Sequence, residues 1–311
     1  MEPILQIEHL SITFTQYSRG ARRRELPVIR DLSLSLSPGE VTAVVGASGS
    51  GKSLLAHAIL GLLPYNSRRE GSILYKGQEL TPRRLEKLRG REISLVPQGV
   101  TYLDPLMKVG PQLTQGRRDI DTRRRAREAL SRYGLGPETE RRYPFQLSGG
   151  MARRVLMASA VMESPQLIIA DEPTPGLDAQ AAGRLLGHFR ELAQEGAAVL
   201  FITHDLELAL TVAHRVAVFY AGETIEEALA SDFEAGSLRH PFTKALWDAL
   251  PQRGFRPIPG SQPYPGEVGE GCPFLGQCPH PGAGCAQGPL PLRPFQGGAV
   301  RCLYPNKEVA P

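Results

Sequence analysis

The sequence contains no apolar run of the roughly 20 residues that a membrane-spanning helix requires. It also lacks an excess of one charge, because 36 Lys and Arg stand against 32 Asp and Glu, a formal net charge of +4. This near-balance argues against a dedicated nucleic-acid binder, whose binding domain would be strongly basic. The first residues show no basic stretch followed by an apolar one, so we expect no secretory signal and a cytoplasmic chain.

Cysteine is absent before Cys272, and proline and glycine are concentrated in the same region. Residues 251–311 hold 13 of the 27 prolines and 11 of the 33 glycines. Upstream, short β-type runs alternate with helical ones, which predicts an α/β fold with a parallel sheet and crossover helices. We therefore expect one domain over residues 1–235, with a helical insertion at about 104–160, followed by an extension over 236–311.

A Gly-rich segment follows the apolar run Val41 to Val45 and precedes an amphipathic helical pattern. The segment GASGSGKS fits the P-loop pattern in the strand–turn–helix context that its mechanism requires. Glycines let backbone N–H groups surround phosphates, and the helix N-terminus adds partial positive charge. We expect Lys52 to contact the β- and γ-phosphates and Ser53 to hold Mg²⁺. The predicted phosphate-binding residues are Gly46, Ala47, Ser48, Gly49, Ser50, Gly51, Lys52 and Ser53.

Two further strands end in polar residues that suit phosphate hydrolysis. In the segment LIIADEP, the apolar run Leu167 to Ala170 is followed by Asp171 and Glu172. The run AVLFIT is followed by His204. Asp171 suits Mg²⁺ binding, and Glu172 suits polarisation of the attacking water. Because ligands of open α/β sheets bind at the carboxyl ends of strands, we interpret His204 as part of the same site.

A second anion-binding helix start is predicted at LSGGM. Ser148 is a natural N-cap, and Gly149 and Gly150 permit close approach to a ligand. One nucleotide does not need two such helix starts from a single domain. The pattern is explained if two domains meet head to tail and each offers this helix start to the other's nucleotide.

In this order the motifs resemble the ATPase subunits of ATP-binding-cassette (ABC) transporters, over about residues 4–230. The resemblance implies a RecA-like core with a β-rich subdomain and a helical insertion, and a sandwich dimer with two ATP molecules. It implies that Glu172 is the catalytic base, His204 a γ-phosphate switch and Gln98 a residue that links Mg²⁺ to the membrane partner. It further implies that Phe14 stacks on adenine, that Ser148 to Gly150 act in trans, and that Asp178 ends the interface loop PGLD. Two positions depart from the family pattern. One is Met151 in the segment LSGGM, which is termed the signature, and the other is Gly176 in the loop PGLD.

The tail resembles the carboxyl-terminal extension of ATPases that serve oligopeptide, dipeptide and nickel or metallophore importers. The segment VPQGVTYLDPLMKVG is most similar to nickel-type and opine-metallophore-type members. Four thiolates could organise a segment too rich in Pro and Gly to form its own core. The resemblance favours a [4Fe–4S] cluster, whereas Zn²⁺ and free thiols remain alternatives. The four cysteines are Cys272, Cys278, Cys285 and Cys302.

The resemblance implies a peripheral subunit at the cytoplasmic face of the membrane. Its expected partners are two transmembrane permease subunits, a second ATPase subunit, identical or related, and indirectly a substrate-binding protein. The competing interpretation is a soluble ABC ATPase that acts on nucleic acid or the ribosome. Such proteins typically carry long coiled-coil insertions or two cassettes, and this chain has one cassette and a short insertion. The transporter interpretation is therefore preferred, with the cargo left open between peptides and nickel or metal chelates.

Overall fold

The structure, a computed structural model, describes residues 2–17, 23–258 and 260–305. Its strands, numbered in chain order, are β1 Leu5–Tyr17, β2 Arg23–Leu36, β3 Val41–Gly46, β4 Ser67–Tyr75, β5 Gln78–Glu79, β6 Ile93–Val96, β7 Leu167–Asp171, β8 Ala198–Thr203, β9 Arg215–Tyr220, β10 Glu223–Leu229, β11 Arg293–Phe295 and β12 Gly298–Val300. Its α-helices are α1 Lys52–Ile59, α2 Pro82–Leu88, α3 Val109–Leu113, α4 Ile120–Arg132, α5 Gly149–Val161, α6 Ala179–Gln194, α7 Leu206–Leu210, α8 Ala230–Glu234 and α9 Pro241–Asp248.

The predicted parallel sheet is confirmed in an eight-stranded sheet with the order β11-β12-β10-β9-β3-β8-β7-β6. Strands β9, β3, β8, β7 and β6 are parallel, and β10, β12 and β11 continue the sheet antiparallel. Successive side chains of a strand point to opposite faces. On β3, Val41, Ala43 and Val45 join one apolar core and Val44 joins the other. Helices therefore cover the sheet on both faces, as expected for strands that are apolar throughout.

A separate antiparallel sheet with the order β2-β1-β4-β5 forms the β-rich subdomain. Strand β2 begins at Arg23, so Arg23 and Arg24 lie in a strand. From the sequence, the arginine-rich segment Arg19 to Arg24 predicts a loop, and for Arg23 and Arg24 that prediction is wrong. Pairing with Gln16 and Tyr17 of β1 supplies the hydrogen bonds that make these charged residues extended. The remaining positions of that predicted loop, 19–22, lie outside the described residues.

The helical insertion contains α3, α4 and α5. Two short 3₁₀ turns, Pro137–Arg141 and Pro144–Gln146, lie between α4 and α5. Helix α4 begins at the N-cap Asp119, whose side chain accepts a hydrogen bond from the Thr122 N–H at 2.8 Å. Its Ala126, Ala129 and Leu130 are buried, whereas Arg123, Arg124 and Arg127 are exposed. The sequence predicts an amphipathic helix for the basic run Arg123 to Arg127, because these apolar residues alternate with the charged ones, and the structure confirms it.

The carboxyl-terminal extension packs onto the cassette through its own strand and two buried arginines. Strand β12 pairs with β10 at Glu226 and Glu227, so the extension continues the main sheet. The Arg239 and Arg301 side chains are each 2% exposed, and they pair with Glu226 and with Asp31. Phe242 of α9 lies 4.5 Å from Tyr220 of β9, measured between ring centroids. None of the helices in the described ranges is long and apolar enough to cross a membrane.

The Arg239 ion pair predicts a large effect on stability. Its guanidinium donates to Glu226 Oε1 at 3.3 Å and to Asp232 Oδ2 at 2.9 Å, and Glu226 is 0% exposed. We expect Arg239→Ala to lower the free energy of unfolding by about 3 to 5 kcal/mol, because it leaves a buried carboxylate without its counter-charge. Urea unfolding measures the change.

The control is Arg124→Ala on α4, whose side chain is 65% exposed in its ion pairs. We expect that variant to stay within about 0.5 kcal/mol of the parent protein. Equal losses for the two variants would contradict the role given to the buried pair.

Candidate nucleotide-binding site

The predicted catalytic residues meet at one edge of the main sheet. Gly46 ends β3, Asp171 ends β7 and is followed by Glu172, His204 follows β8, and Gln98 lies two residues after β6. These four strands are neighbours and parallel, so their carboxyl ends lie side by side. The edge therefore gathers residues that are up to 158 positions apart in the chain, from Gly46 to His204.

The P-loop joins β3 to α1, as the sequence predicts. At two of its positions a side chain larger than that of glycine would collide with neighbouring atoms. A Cβ at Gly46 would lie 2.3 Å from the Phe219 carbonyl oxygen. Gly51 is the N-cap of α1 in the left-handed region at φ +96°, where a Cβ would meet Ile29 Cγ1 at 3.0 Å. Ala47, Ser48 and Gly49 are exposed at the rim of the loop. The loop thus presents backbone N–H groups to solvent at a helix start, where an anion is stabilised.

The Lys52 ammonium lies inside the loop. Its Nζ donates to the carbonyl oxygens of Gly46 and Ala47, each at 2.9 Å. Burial lowers the pKa of Lys52, and the carboxylates of Glu172 and Asp171 act in the opposite direction. Carbonyl acceptors and two nearby acids thus hold the Lys52 ammonium inside the loop that is expected to bind a phosphate.

Ser53 and Asp171 form the predicted magnesium-binding pair. Ser53 Oγ donates to Asp171 Oδ1 at 3.0 Å, across 118 residues of sequence. Burial raises the pKa of Asp171, although the Ser53 hydrogen bond lowers it. A hydroxyl and a carboxylate at this distance are hard oxygen donors of the kind that Mg²⁺ prefers.

Glu172 is held in a strained backbone conformation between two polar side chains. Its φ is +43°, in the left-handed region that bulky residues rarely adopt, and its N–H donates to the Ile202 carbonyl at 2.9 Å. Its Oε2 lies 3.1 Å from His204 Nδ1 and accepts from Gln98 Nε2 at 3.4 Å. Strain of this kind is characteristic of sites where a carboxylate must point in one direction.

The signature residues lie on an open surface. Ser148 Oγ caps α5 by accepting from the Met151 N–H at 3.2 Å. A Cβ built at Gly149 or Gly150 has no atom within 4 Å, so this helix start faces free space. Asp178 caps α6 by accepting from the Ala181 N–H at 2.7 Å. Nothing in the described part of the chain covers the signature helix start.

Phe14 and Arg153 complete the description of the site. Phe14 is half-buried on β1, paired with Leu26 and Ser67 and packed against the core of that subdomain. Arg153 of α5 donates to the Pro173 carbonyl and, at 3.4 Å, to the Gln98 carbonyl. It thereby connects the signature helix α5 to Pro173, which follows Glu172 in the chain, and to Gln98, whose side chain contacts Glu172. Sequence reasoning missed Arg153, whose only signal was its place on the helix that follows the signature.

The cysteines of the extension come together in the structure. A cavity of about 10 Å³, with room for a single water-sized group, is lined by Cys272, Cys278, Cys285, Cys302, His240 and His280. Burial raises the pKa of the Cys272 thiol to about 12 and raises those of Cys278 and Cys302. Within the described residues no three His, Cys, Asp or Glu side chains are placed closely enough to hold a metal ion.

Comparison with known proteins agrees with this geometry. The ABC transporter family matches residues 29–175, and the oligopeptide/dipeptide transporter C-terminal region matches residues 225–285. The chain is 35% identical to the oligopeptide transport ATP-binding protein OppD of Escherichia coli, over 99% of this chain and 95% of that protein. It is 35% identical to the dipeptide transport ATP-binding protein DppD of Bacillus subtilis, over 90% of this chain and 88% of that protein.

Solved structures show the same cassette. A dimeric post-hydrolysis state of the ATP-binding cassette MJ0796, bound to ADP and Pi, covers 73% of this chain and 98% of that chain with a TM-score of 0.62 at 27% identity. The cassette cbiO1 of Clostridium perfringens covers 76% and 92% with a TM-score of 0.62 at 26% identity.

The fold and the site together define a P-loop ATPase with a helical insertion and a second, exposed glycine-rich helix start. More particularly, the chain belongs to the ATP-binding subunits of ABC transporters, in the group that carries the oligopeptide/dipeptide transporter C-terminal region. It is a transport ATPase whose ligand is ATP with Mg²⁺.

The position of Lys52 predicts its contribution to ATP binding. We expect Lys52→Met to weaken ATP binding about tenfold to a hundredfold, because a charge-assisted hydrogen bond contributes on the order of 1.5 to 3 kcal/mol. Isothermal titration calorimetry with ATP and Mg²⁺ measures the affinity. The control is Lys87→Met at an exposed position of α2, for which parental affinity is expected. Parental affinity in Lys52→Met would refute the assignment.

Proposed function

We propose that this chain is the motor subunit of an importer, which hydrolyses ATP to drive uptake of peptides through partner permease subunits. The observation that carries the proposal is the Glu172 carboxylate, held by His204 and Gln98 beside the P-loop. The names of OppD and DppD, similar along nearly the whole chain, support peptides as the cargo. Nickel or metal chelates are the second cargo class, supported by the resemblance of residues 96–110.

The hydrolytic roles follow from the contacts. Glu172 accepts the proton of the attacking water, and His204 and Gln98 fix the direction of its carboxylate. Lys52 stabilises charge on the β- and γ-phosphates. Ser53 and Asp171 would hold Mg²⁺, which when bound would supply further positive charge for the phosphates. Phe14 stacks on the adenine ring.

The active unit is proposed to be a dimer. Within the described ranges no atom lies within 4 Å of a Cβ built at Gly149 or Gly150, so this helix start is open to a ligand from outside its own chain. The γ-phosphate that it binds is proposed to belong to a second ATPase subunit. Asp178, at the start of α6, belongs to the same interface loop. The dimeric cassette MJ0796 supports this arrangement, with an identical or a related subunit as the partner.

A group of exposed apolar side chains, termed the docking patch, supports contact with a permease. Large apolar side chains are seldom exposed together without a partner. The stacked rings of Tyr143 and Phe145 lie beside the Lys108 ammonium, which is 5.6 Å from the Tyr143 ring. Gln112 holds the preceding loop by donating to the Met107 carbonyl at 2.6 Å. The docking patch comprises Val100, Tyr102, Leu106, Met107 and Phe145.

If the docking patch contacts a permease, the subunit lies at the cytoplasmic face of the membrane, where we propose that it binds two permease subunits. A substrate-binding protein delivers cargo to those permeases and does not contact this chain. In this assignment residues 1–235 are the cassette, about 104–160 its helical subdomain and 236–311 the extension.

Exchange of the proposed base tests the hydrolytic mechanism. We expect Glu172→Gln to reduce ATP hydrolysis by about a hundredfold or more while ATP binding stays at the parental level, because the amide cannot accept a proton from water. Phosphate release and calorimetry measure the two properties. Glu195→Gln, a matched change in an exposed ion pair with Arg132, should hydrolyse ATP normally. Parental hydrolysis in Glu172→Gln would disprove the proposed base.

We further propose that the four cysteines bind a metal centre, a [4Fe–4S] cluster in the first place and Zn²⁺ in the second. The residue types suit such a centre, because four thiols and two histidines line one cavity. These side chains would have to move closer together to share a metal ion, since no three of them are placed to hold one in the described residues. The thiols of Cys272, Cys278 and Cys302 each accept a backbone N–H from two residues later, which stabilises thiolates. A bound centre would cross-link a segment that has little core of its own.

Metal and acid-labile sulfide analysis on protein purified without oxygen tests this proposal. We expect about four iron and four sulfide per chain, lost in Cys285→Ser. Gln287→Ser, an exposed change two residues away, should retain them. Stoichiometric zinc in place of iron would show that the cysteines bind Zn²⁺ and would refute the cluster. The absence of any metal would refute both centres.

A further inference from the structure

The helical insertion contains a surface cavity that the ATPase mechanism does not use. This cavity, termed the basic cleft, has a volume of about 350 Å³ and lies between α3, α4 and the turn Pro137–Arg141. Its lining includes one carboxylate, that of Glu140. Its cationic lining residues are Lys108, Arg117, Arg118, Arg123, Arg127 and Arg141.

Four of these six cations have no counter-charge in the described structure. Arg127 Nε donates to Glu140 Oε1 at 2.9 Å, and Arg117 pairs with Glu163. Lys108 lies over the Tyr143 ring. Throughout the described ranges no ion pair or side-chain hydrogen bond is formed by the other three, which are exposed: Arg118, Arg123 and Arg141.

The surrounding segment holds the excess positive charge of the whole chain. Residues 108–142 contain ten Lys and Arg and five Asp and Glu, a net +5, against +4 for all 311 residues. Unpaired cations that crowd one cavity repel each other, so an anion that enters it is attracted by several charges at once. Guanidinium groups match phosphate oxygens in bidentate geometry, which makes a phosphate the anion that these arginines fit best.

An exposed apolar residue beside the cleft indicates where the phosphate comes from. Ile120 is the first residue of α4, stands between Arg118 and Arg123 in the chain, and is 84% exposed. The cleft itself has no large apolar side chain in its lining, and so lacks the anchor pockets that protein partners usually need. A protruding apolar residue among cations is instead the pattern of a surface that binds anionic lipid.

The cleft also lies on the correct side of the molecule. Lys108 lines it and directly follows Leu106 and Met107 of the docking patch. If the docking patch meets a permease, the basic cleft therefore lies next to that permease. This step depends on the proposed function.

We propose that the basic cleft binds the phosphate headgroup of an anionic phospholipid while Ile120 inserts among the lipid chains. The contact would hold the helical insertion against the bilayer beside the permease.

Vesicle flotation with the full chain tests the proposal, using phosphatidylcholine alone or mixed with phosphatidylglycerol. We expect binding to the mixed vesicles only, weakened by salt. The triple variant Arg118→Gln, Arg123→Gln and Arg141→Gln should bind about a hundredfold more weakly, since each surface cation contributes roughly fivefold. Ile120→Ser should weaken binding about tenfold.

Charge-matched and functional controls separate this contact from the rest of the protein. The variant Arg83→Gln, Arg190→Gln and Arg256→Gln removes three exposed cations outside the insertion and should bind vesicles normally. Both triple variants should hydrolyse ATP at the parental rate. A failure of the lipid contact is thereby distinguished from a failure of the motor, which Glu172→Gln reports.

Three outcomes would overturn the proposal. Equal binding to both vesicle types, or full binding by the cleft variant, would show that the cleft does not bind anionic lipid. Displacement by inorganic phosphate at constant ionic strength, with no effect of Ile120→Ser, would identify a free-phosphate site instead. Normal vesicle binding by the cleft variant, combined with loss of co-purification with the permease, would assign the cleft to an acidic protein segment.

Discussion

The alignment of four parallel strands is the constraint on which the site depends. Strands β3, β8, β7 and β6 end at one edge, and that edge brings the P-loop, Glu172, His204 and Gln98 together. A shift of one residue in any of these strands would turn its side chains to the opposite face and separate the contacts. The burial of all six residues of β3 and of β8 fixes this register.

Buried charge joins the extension to the cassette. Arg301 donates through Nε to the Thr224 carbonyl at 3.0 Å and through Nη1 to Asp31 at 2.9 Å, next to Cys302. Asp31 belongs to β2. Arg30, which precedes it in that strand, donates its N–H to the Gly222 carbonyl at 2.8 Å. The cysteine-containing segment therefore contacts both sheets of the cassette through charged groups that are costly to separate.

The sequence predicted strands and helices best where pattern and motif agreed. The apolar runs that became β3, β7 and β8 were located within one or two residues, and the P-loop was identified with its helix. The beginning of β2 was missed because Arg23 and Arg24 suggest a loop, and only pairing with β1 makes them extended. Arg153 was missed because its acceptors are backbone carbonyls, which no sequence pattern identifies.

The sequence alone determined which chemical groups the protein carries and in what order, because motifs such as GASGSGKS need only local spacing to bind phosphate. It also predicted two anion-binding helix starts in one chain. Only the tertiary structure decided which groups meet, because contacts such as Ser53 with Asp171 span 118 residues and depend on strand order. The structure likewise separated the cations of the insertion into paired ones and unpaired ones, since an ion pair requires a partner within a few ångströms, whatever its distance along the chain.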